Sequence, residues 1–103
     1  MVNILLVCSA GMSTSALVKK MQDSAAERGI DAKIWAVGGV HAENAQRDAD
    51  VVMLGPQVSY LLDQMKGMVD EGKPVAVIDM LSYGRINGAK VLDDALALAD
   101  RKV

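Results

Sequence analysis

The only cysteine in this chain of 103 residues, Cys8, opens the run Cys8-Ser9-Ala10-Gly11-Met12-Ser13-Thr14-Ser15. Most of these residues are small, so successive backbone N–H groups can converge on an anion, with Gly11 supplying the tightest turn. Ser9, Ser13, Thr14 and Ser15 add hydroxyl donors. The same donors favour a thiolate at Cys8, and a thiolate facing a phosphate site is equipped to attack a phosphoryl group. A buried strand-end thiol followed by an ordinary helix cap accounts for the same residues equally well. The run lacks the Gly-Lys-Ser/Thr ending of a nucleotide-binding P-loop and the three spaced glycines of a dinucleotide site, so no cofactor is expected. One cysteine and one histidine, His41, do not make a zinc set, and no metal is expected either.

The elements that must hold this loop follow a regular alternation. Val2 to Val7 is short, apolar and branched, and reads as a buried strand. From Thr14 to Arg28, Leu17, Val18, Met21 and Ala25 fall at helical spacing, and Gly29 ends the helix. Ala32 to Val37 predicts a second strand closed by Gly38-Gly39, with a short polar helix from Val40 to Arg47. Val51 to Leu54 is the third strand; Gly55-Pro56 breaks it, and Val58, Leu61, Leu62 and Met65 resume helical spacing. Val75 to Ile78 is the fourth strand, Met80 to Gly88 reads as an irregular loop, and Ala89 to Arg101 as a closing helix. Strict βα alternation with continuous apolar strands predicts an α/β fold, an open four-stranded parallel sheet with helices on both faces, for which we take the order 2-1-3-4.

Composition narrows the function classes. With 51% apolar and 23% charged residues the chain is an ordinary globular sequence, expected to form one domain over residues 1–103. A net charge of −2 with scattered Lys and Arg gives no basic face for nucleic acid. No apolar run approaches the ~20 residues that cross a bilayer, and the start lacks the basic region of a signal peptide, so direct membrane insertion is not expected. A lone cysteine fits a reducing cytoplasm.

In a sheet of order 2-1-3-4 ligands collect where the loops after strands one and three meet, which brings Gly55, Pro56 and Gln57 toward Cys8. Gln57 is a candidate support for the loop, although Gly-Pro at a strand end is sufficient reason for that segment. Asp79, ending strand four, is either a general acid or, more commonly for such a residue, a helix or loop cap. Tyr83 and Arg85 follow in the next loop as an aromatic flank and a candidate phosphate cation. Lys19 and Lys20 fall on the polar side of the first helix. Met12, Met80 and Leu81 form a candidate docking patch around Cys8.

The run CSAGMSTS followed by LVKKM resembles the active loop and first helix of the enzyme IIB proteins of the bacterial sugar phosphotransferase system, lactose/cellobiose/chitobiose type. Asp50-Val51-Val52 leading to Leu54-Gly55-Pro56-Gln57, and Ile78-Asp79 leading to Tyr83-Gly84, are similar to later landmarks of that family; Gly39 to Asp48 has none. The resemblance implies that Cys8 accepts a phosphoryl group from a phosphohistidine of a IIA protein, cradled by the N–H groups of Ser9 to Ser15. The group would then pass to a β-linked disaccharide held by a membrane IIC permease. That implies a cytoplasmic protein, transiently at the inner face of the membrane through IIC.

The fold and cysteine position also resemble the low-molecular-weight tyrosine phosphatases, whose loop is Cys, five residues, then Arg. Here the sixth following position is Thr14. A guanidinium would hold phosphate oxygens bidentately and stabilise transition-state charge, so its absence favours a carrier over a phosphatase, which remains the alternative. An arsenate reductase would need further cysteines. A phosphocarrier class that uses histidine makes His41 the competing acceptor.

Overall fold

The computed structural model describes residues 1–9, 14–70 and 72–100. Four strands, β1 (Val2–Cys8), β2 (Ala32–Gly38), β3 (Val51–Leu54) and β4 (Val75–Val77), form one parallel sheet in the order β2-β1-β3-β4. The helices are α1 (Ser15–Glu27), α2 (Ala42–Ala45), α3 (Leu62–Met68), α4 (Met80–Gly84) and α5 (Gly88–Asp100).

Both faces of the sheet are covered, so the central strands carry apolar residues without interruption. Along β1 the side chains alternate. Ile4 and Leu6 join a core with Leu17, Met21 and Ala25 of α1 and Val91, Leu92 and Ala95 of α5. Leu5 and Val7 face the opposite layer, built from Ala42 of α2, Met65 of α3 and Val58 in the turn before α3. Helices α1 and α5 cross closely at Gly88, where an added Cβ would lie 2.5 Å from the Lys20 carbonyl carbon. No larger residue fits that crossing without moving a helix. The turn into α5 passes through Ile86 at φ 52, a left-handed conformation rare for a β-branched residue.

Three elements depart from the sequence expectation. The helix expected over Val40–Arg47 is a 3₁₀ turn (Gly39–His41), one turn of α2, and a second 3₁₀ turn (Gln46–Asp48). The helix expected from Val58 begins as a 3₁₀ segment, Pro56–Leu61, kinked at Val58 (φ −116, ψ 25), before α3 proper. Met80–Gly88, expected to be an irregular loop, contains α4, because Asp79 caps it: its carboxylate accepts from the Ser82 N–H and hydroxyl, both at 3.0 Å.

Register brings the carboxyl ends of the strands side by side. Cys8 pairs with Gly38, Val7 with Leu54, and Leu54 with Val77. The Gly55 N–H continues the ladder to the Val7 carbonyl at 2.8 Å, and the Ile78 N–H to the Leu54 carbonyl at 2.7 Å. The segments carrying Cys8, Gly55-Pro56-Gln57 and Asp79 to Tyr83 therefore leave the sheet along one edge.

Candidate active site

Parity along β1 turns the Cys8 side chain toward the α1 and α5 layer, and the residue is fully buried. Its thiol makes a long contact to the Val37 carbonyl on neighbouring β2, 3.9 Å, and accepts a hydrogen bond from the Thr14 hydroxyl at 3.2 Å. Thr14, also fully buried, is the residue preceding α1, so the sulfur sits at the positive end of a 13-residue helix. Ser9 and Ser15 are exposed on either side. Ala10, Gly11, Met12 and Ser13, expected to cradle phosphate, lie outside the described residues.

The end of β3 meets this region through Gly55, which is buried. A Cβ there would lie 2.8 Å from Gln57 Oε1, 3.5 Å from the Val7 carbonyl and 3.7 Å from Tyr83 Cε2. The absence of a side chain thus lets the Gln57 carboxamide and the Tyr83 ring close over the last turn of the β1–β3 ladder. Gln57 and Tyr83, separate in sequence, are brought together at Gly55, across the ladder from Val7. Asp79 stands apart from them in role: the Ser82 N–H and hydroxyl, aided by the Lys90 charge, hold its carboxyl below the usual value. It is ionised at neutral pH and spends one oxygen on the cap, an arrangement that suits a structural anion and not a proton donor.

Among sequences, a family model described as PTS system, Lactose/Cellobiose specific IIB subunit matches residues 3–94. This chain belongs to that IIB family. An oligo-beta-mannoside-specific EIIB component of Bacillus subtilis (strain 168) is 46% identical over 99 residues, covering 95% of this chain and 96% of the relative. A galactose-specific EIIB component of Lactococcus lactis subsp. cremoris (strain MG1363) is 42% identical over 95 residues, covering 86% and 88%. The solution structure of a cellobiose-specific phosphotransferase IIB component from Borrelia burgdorferi superposes with a TM-score of 0.82 at 36% identity, covering 98% of this chain and 94% of that one.

Around the cysteine of this IIB chain the same edge exposes apolar side chains. Met80 and Leu81, expected as a docking patch, are 75% and 60% exposed at the start of α4. Val40 after β2 and Tyr60 after β3, at 90% and 77%, extend the apolar surface along that edge. Sequence reasoning missed both, although each follows a glycine-marked strand end. It also missed the Val37 carbonyl, which carries no side-chain signal. Arg85 is exposed and lines a groove of about 550 Å³ with Lys20, Asp23 and Glu27 beside α1. Lys19 pairs with Asp23 at 2.7 Å on the exposed side of α1, and Lys20 is exposed too. His41 is exposed at the end of the first 3₁₀ turn. Among the described residues no group of three His, Cys, Asp or Glu side chains could hold a metal ion, and no helix is long and apolar enough to cross a membrane.

Proposed function

We propose that this IIB chain carries a phosphoryl group on the Cys8 sulfur, received from a phosphohistidine of a IIA protein and delivered to a β-linked disaccharide of the cellobiose, chitobiose or lactose class held by a membrane IIC permease. The supporting observation is the Cys8 sulfur at the carboxyl end of the central strand and the head of α1, 3.2 Å from the Thr14 hydroxyl, in a chain of the IIB family. In the first transfer the donor's N–P bond breaks as the S–P bond forms, and the thiol proton ends on the imidazole nitrogen. In the second, the S–P bond breaks as the sugar oxygen takes phosphorus, and the sugar's hydroxyl proton restores the thiol. The N–H groups from Ser9 to Ser15 supply the cradle for phosphate in both steps.

Two features support transfer over hydrolysis. Thr14 stands where a phosphatase of similar loop length carries Arg, and Asp79 is committed to capping α4 as an ionised carboxylate. A loop without cation or general acid activates water poorly, so the phosphocysteine outlasts the interval between partners. The exposed Met80, Leu81, Val40 and Tyr60 give the IIA and IIC partners an apolar contact that also excludes water from the transfer. The β-linked assignment draws on the family description and on the mannoside and cellobiose relatives.

The test is incubation with phosphorylated IIA followed by intact-mass measurement. Wild type gains one phosphoryl group and Cys8→Ser gains none. Acceptance by Cys8→Ser would overturn the assignment, and rapid turnover of a generic aryl phosphate by wild type would favour hydrolysis.

A further inference from the structure

Thr14 occupies the cap position of α1, where a threonine hydroxyl ordinarily accepts an N–H from the first turn of the helix. It makes no such cap bond, and its backbone (φ −95, ψ −6) is already helical. The hydroxyl points the other way and donates to the Cys8 sulfur at 3.2 Å, with both residues fully buried. Asp79 at the head of α4, by contrast, uses its side chain for the cap in the usual manner. A buried hydroxyl turned from its helix toward a sulfur calls for a reason in the chemistry of that sulfur.

We infer that Thr14 is a catalytic residue that acts on the sulfur itself, stabilising it as nucleophile when phosphate arrives and as leaving group when phosphate departs. The inference rests on Cys8 being the phosphoryl carrier. A neutral thiol and the bridging sulfur of a phosphocysteine are both weak acceptors, whereas a thiolate is a strong one. Phosphoryl transfer passes through a loose transition state in which the bonds to the incoming and outgoing atoms are both weak. There the sulfur has lost its proton and shares little density with phosphorus, so it carries more negative charge than in either end state. A donor fixed on the sulfur therefore stabilises the transition state more than thiol or phosphocysteine, in both directions. The Val37 carbonyl, which receives the thiol hydrogen at rest, has nothing to offer the charged sulfur, whereas the Thr14 hydroxyl is a donor already aimed at it. Because the hydroxyl serves sulfur and is not a cation on the phosphate oxygens, it speeds exchange between partners without activating water.

The experiment compares Thr14→Val, which keeps the shape and removes the donor, with Thr14→Ser, which keeps the donor. Two rates are read: single-turnover phosphorylation by phosphorylated IIA, and alkylation of the free protein by iodoacetamide, which needs no partner. Thr14→Val is expected to slow both by about tenfold, the scale of one hydrogen bond to a charged atom. Thr14→Ser stays within about twofold of wild type. The end-point mass of Thr14→Val still rises by one phosphoryl group, so loss of the Cys8 reading, in which wild type itself gains nothing, is a separate result. Wild-type rates in a folded Thr14→Val, or equal slowing in Thr14→Ser, would overturn the inference. If Thr14→Val does not fold, Thr14→Ala against Thr14→Ser makes the same comparison.

Discussion

The two edges of the sheet treat polarity in opposite ways. At the amino-terminal edge, Lys73 is almost wholly enclosed, and its ammonium donates to the Gln46 backbone carbonyl, to Gln46 Oε1 at 3.0 Å and to Asp70 Oδ2 at 3.4 Å. Asp50 and Asn3 exchange bonds there as well, Asn3 N–H to the carboxylate at 2.8 Å and Asp50 N–H to the Asn3 carbonyl at 2.7 Å. Even the cavity of about 740 Å³ at that edge is walled by Lys73, Asp70, Asp50 and Asn3, together with Met1, Lys33, Arg47 and Asp48. At the carboxyl-terminal edge the Thr14 hydroxyl is turned to a sulfur, and large apolar side chains face solvent. Polar groups at one end hold strands together; at the other, the Thr14 hydroxyl faces the sulfur on which the proposed transfer would take place. That cavity lies at the end away from the sulfur.

Breaking the amino-terminal edge should cost stability and leave chemistry intact. Lys73→Ala removes the donor from the buried Gln46 carbonyl and is expected to lower unfolding free energy by about 2 kcal/mol, measured by urea denaturation. Its iodoacetamide rate at Cys8 should match wild type; a fall would mean that the two edges are coupled. The converse substitution is Met80→Asp with Leu81→Asp, which puts charge on exposed positions. Transfer from phosphorylated IIA should slow by about tenfold, while thermal midpoint and alkylation rate stay unchanged, since surface changes seldom move stability. Unchanged transfer would remove these residues from the docking surface.

Asp79 gives the smallest effect and sharpens the comparison, because it is a charged group at the carboxyl-terminal edge that is spent on the fold. Its carboxyl titrates below 3.8 in the folded state, so ionisation favours folding above that value, and the contribution is lost as pH falls through the lowered value. Asp79→Asn keeps a cap acceptor without the charge. Its thermal midpoint should fall slightly below wild type at pH 7, and the gap should close below pH 3.8. A gap that persists in acid would assign the effect to something other than charge.

How legible this division was depends on what each residue writes into the sequence. β1 and β3 could be placed to within a residue because strands buried on both faces must be continuously apolar, and the chain offers few such runs. The parallel sheet followed from βα alternation, whereas the order 2-1-3-4, which the structure bears out and which sets the end of β3 beside that of β1, had no signal of its own in the alternation. α4 escaped notice because its cap, Asp79 and Ser82 three residues on, looks like any polar loop until the hydroxyl and N–H are seen on one oxygen. The direction of the Thr14 hydroxyl was not legible at all: a threonine before a helix reads as a cap, and only the fold sets the sulfur closer than the helix N–H groups. The Lys73 node was equally hidden, since its partner is a backbone carbonyl 27 positions earlier.

The alternation along β1, with Ile4 and Leu6 on one layer and Leu5 and Val7 on the other, has a bearing on how this chain can change length. Deleting or adding a single residue between Val2 and Val7 while the core holds its register would carry the cysteine to the α3 side, away from Thr14. The tally of residues before the cysteine is therefore constrained as tightly as their character. Single-residue gaps should be excluded from β1 ahead of Cys8 and tolerated in an exposed turn such as Arg28-Gly29.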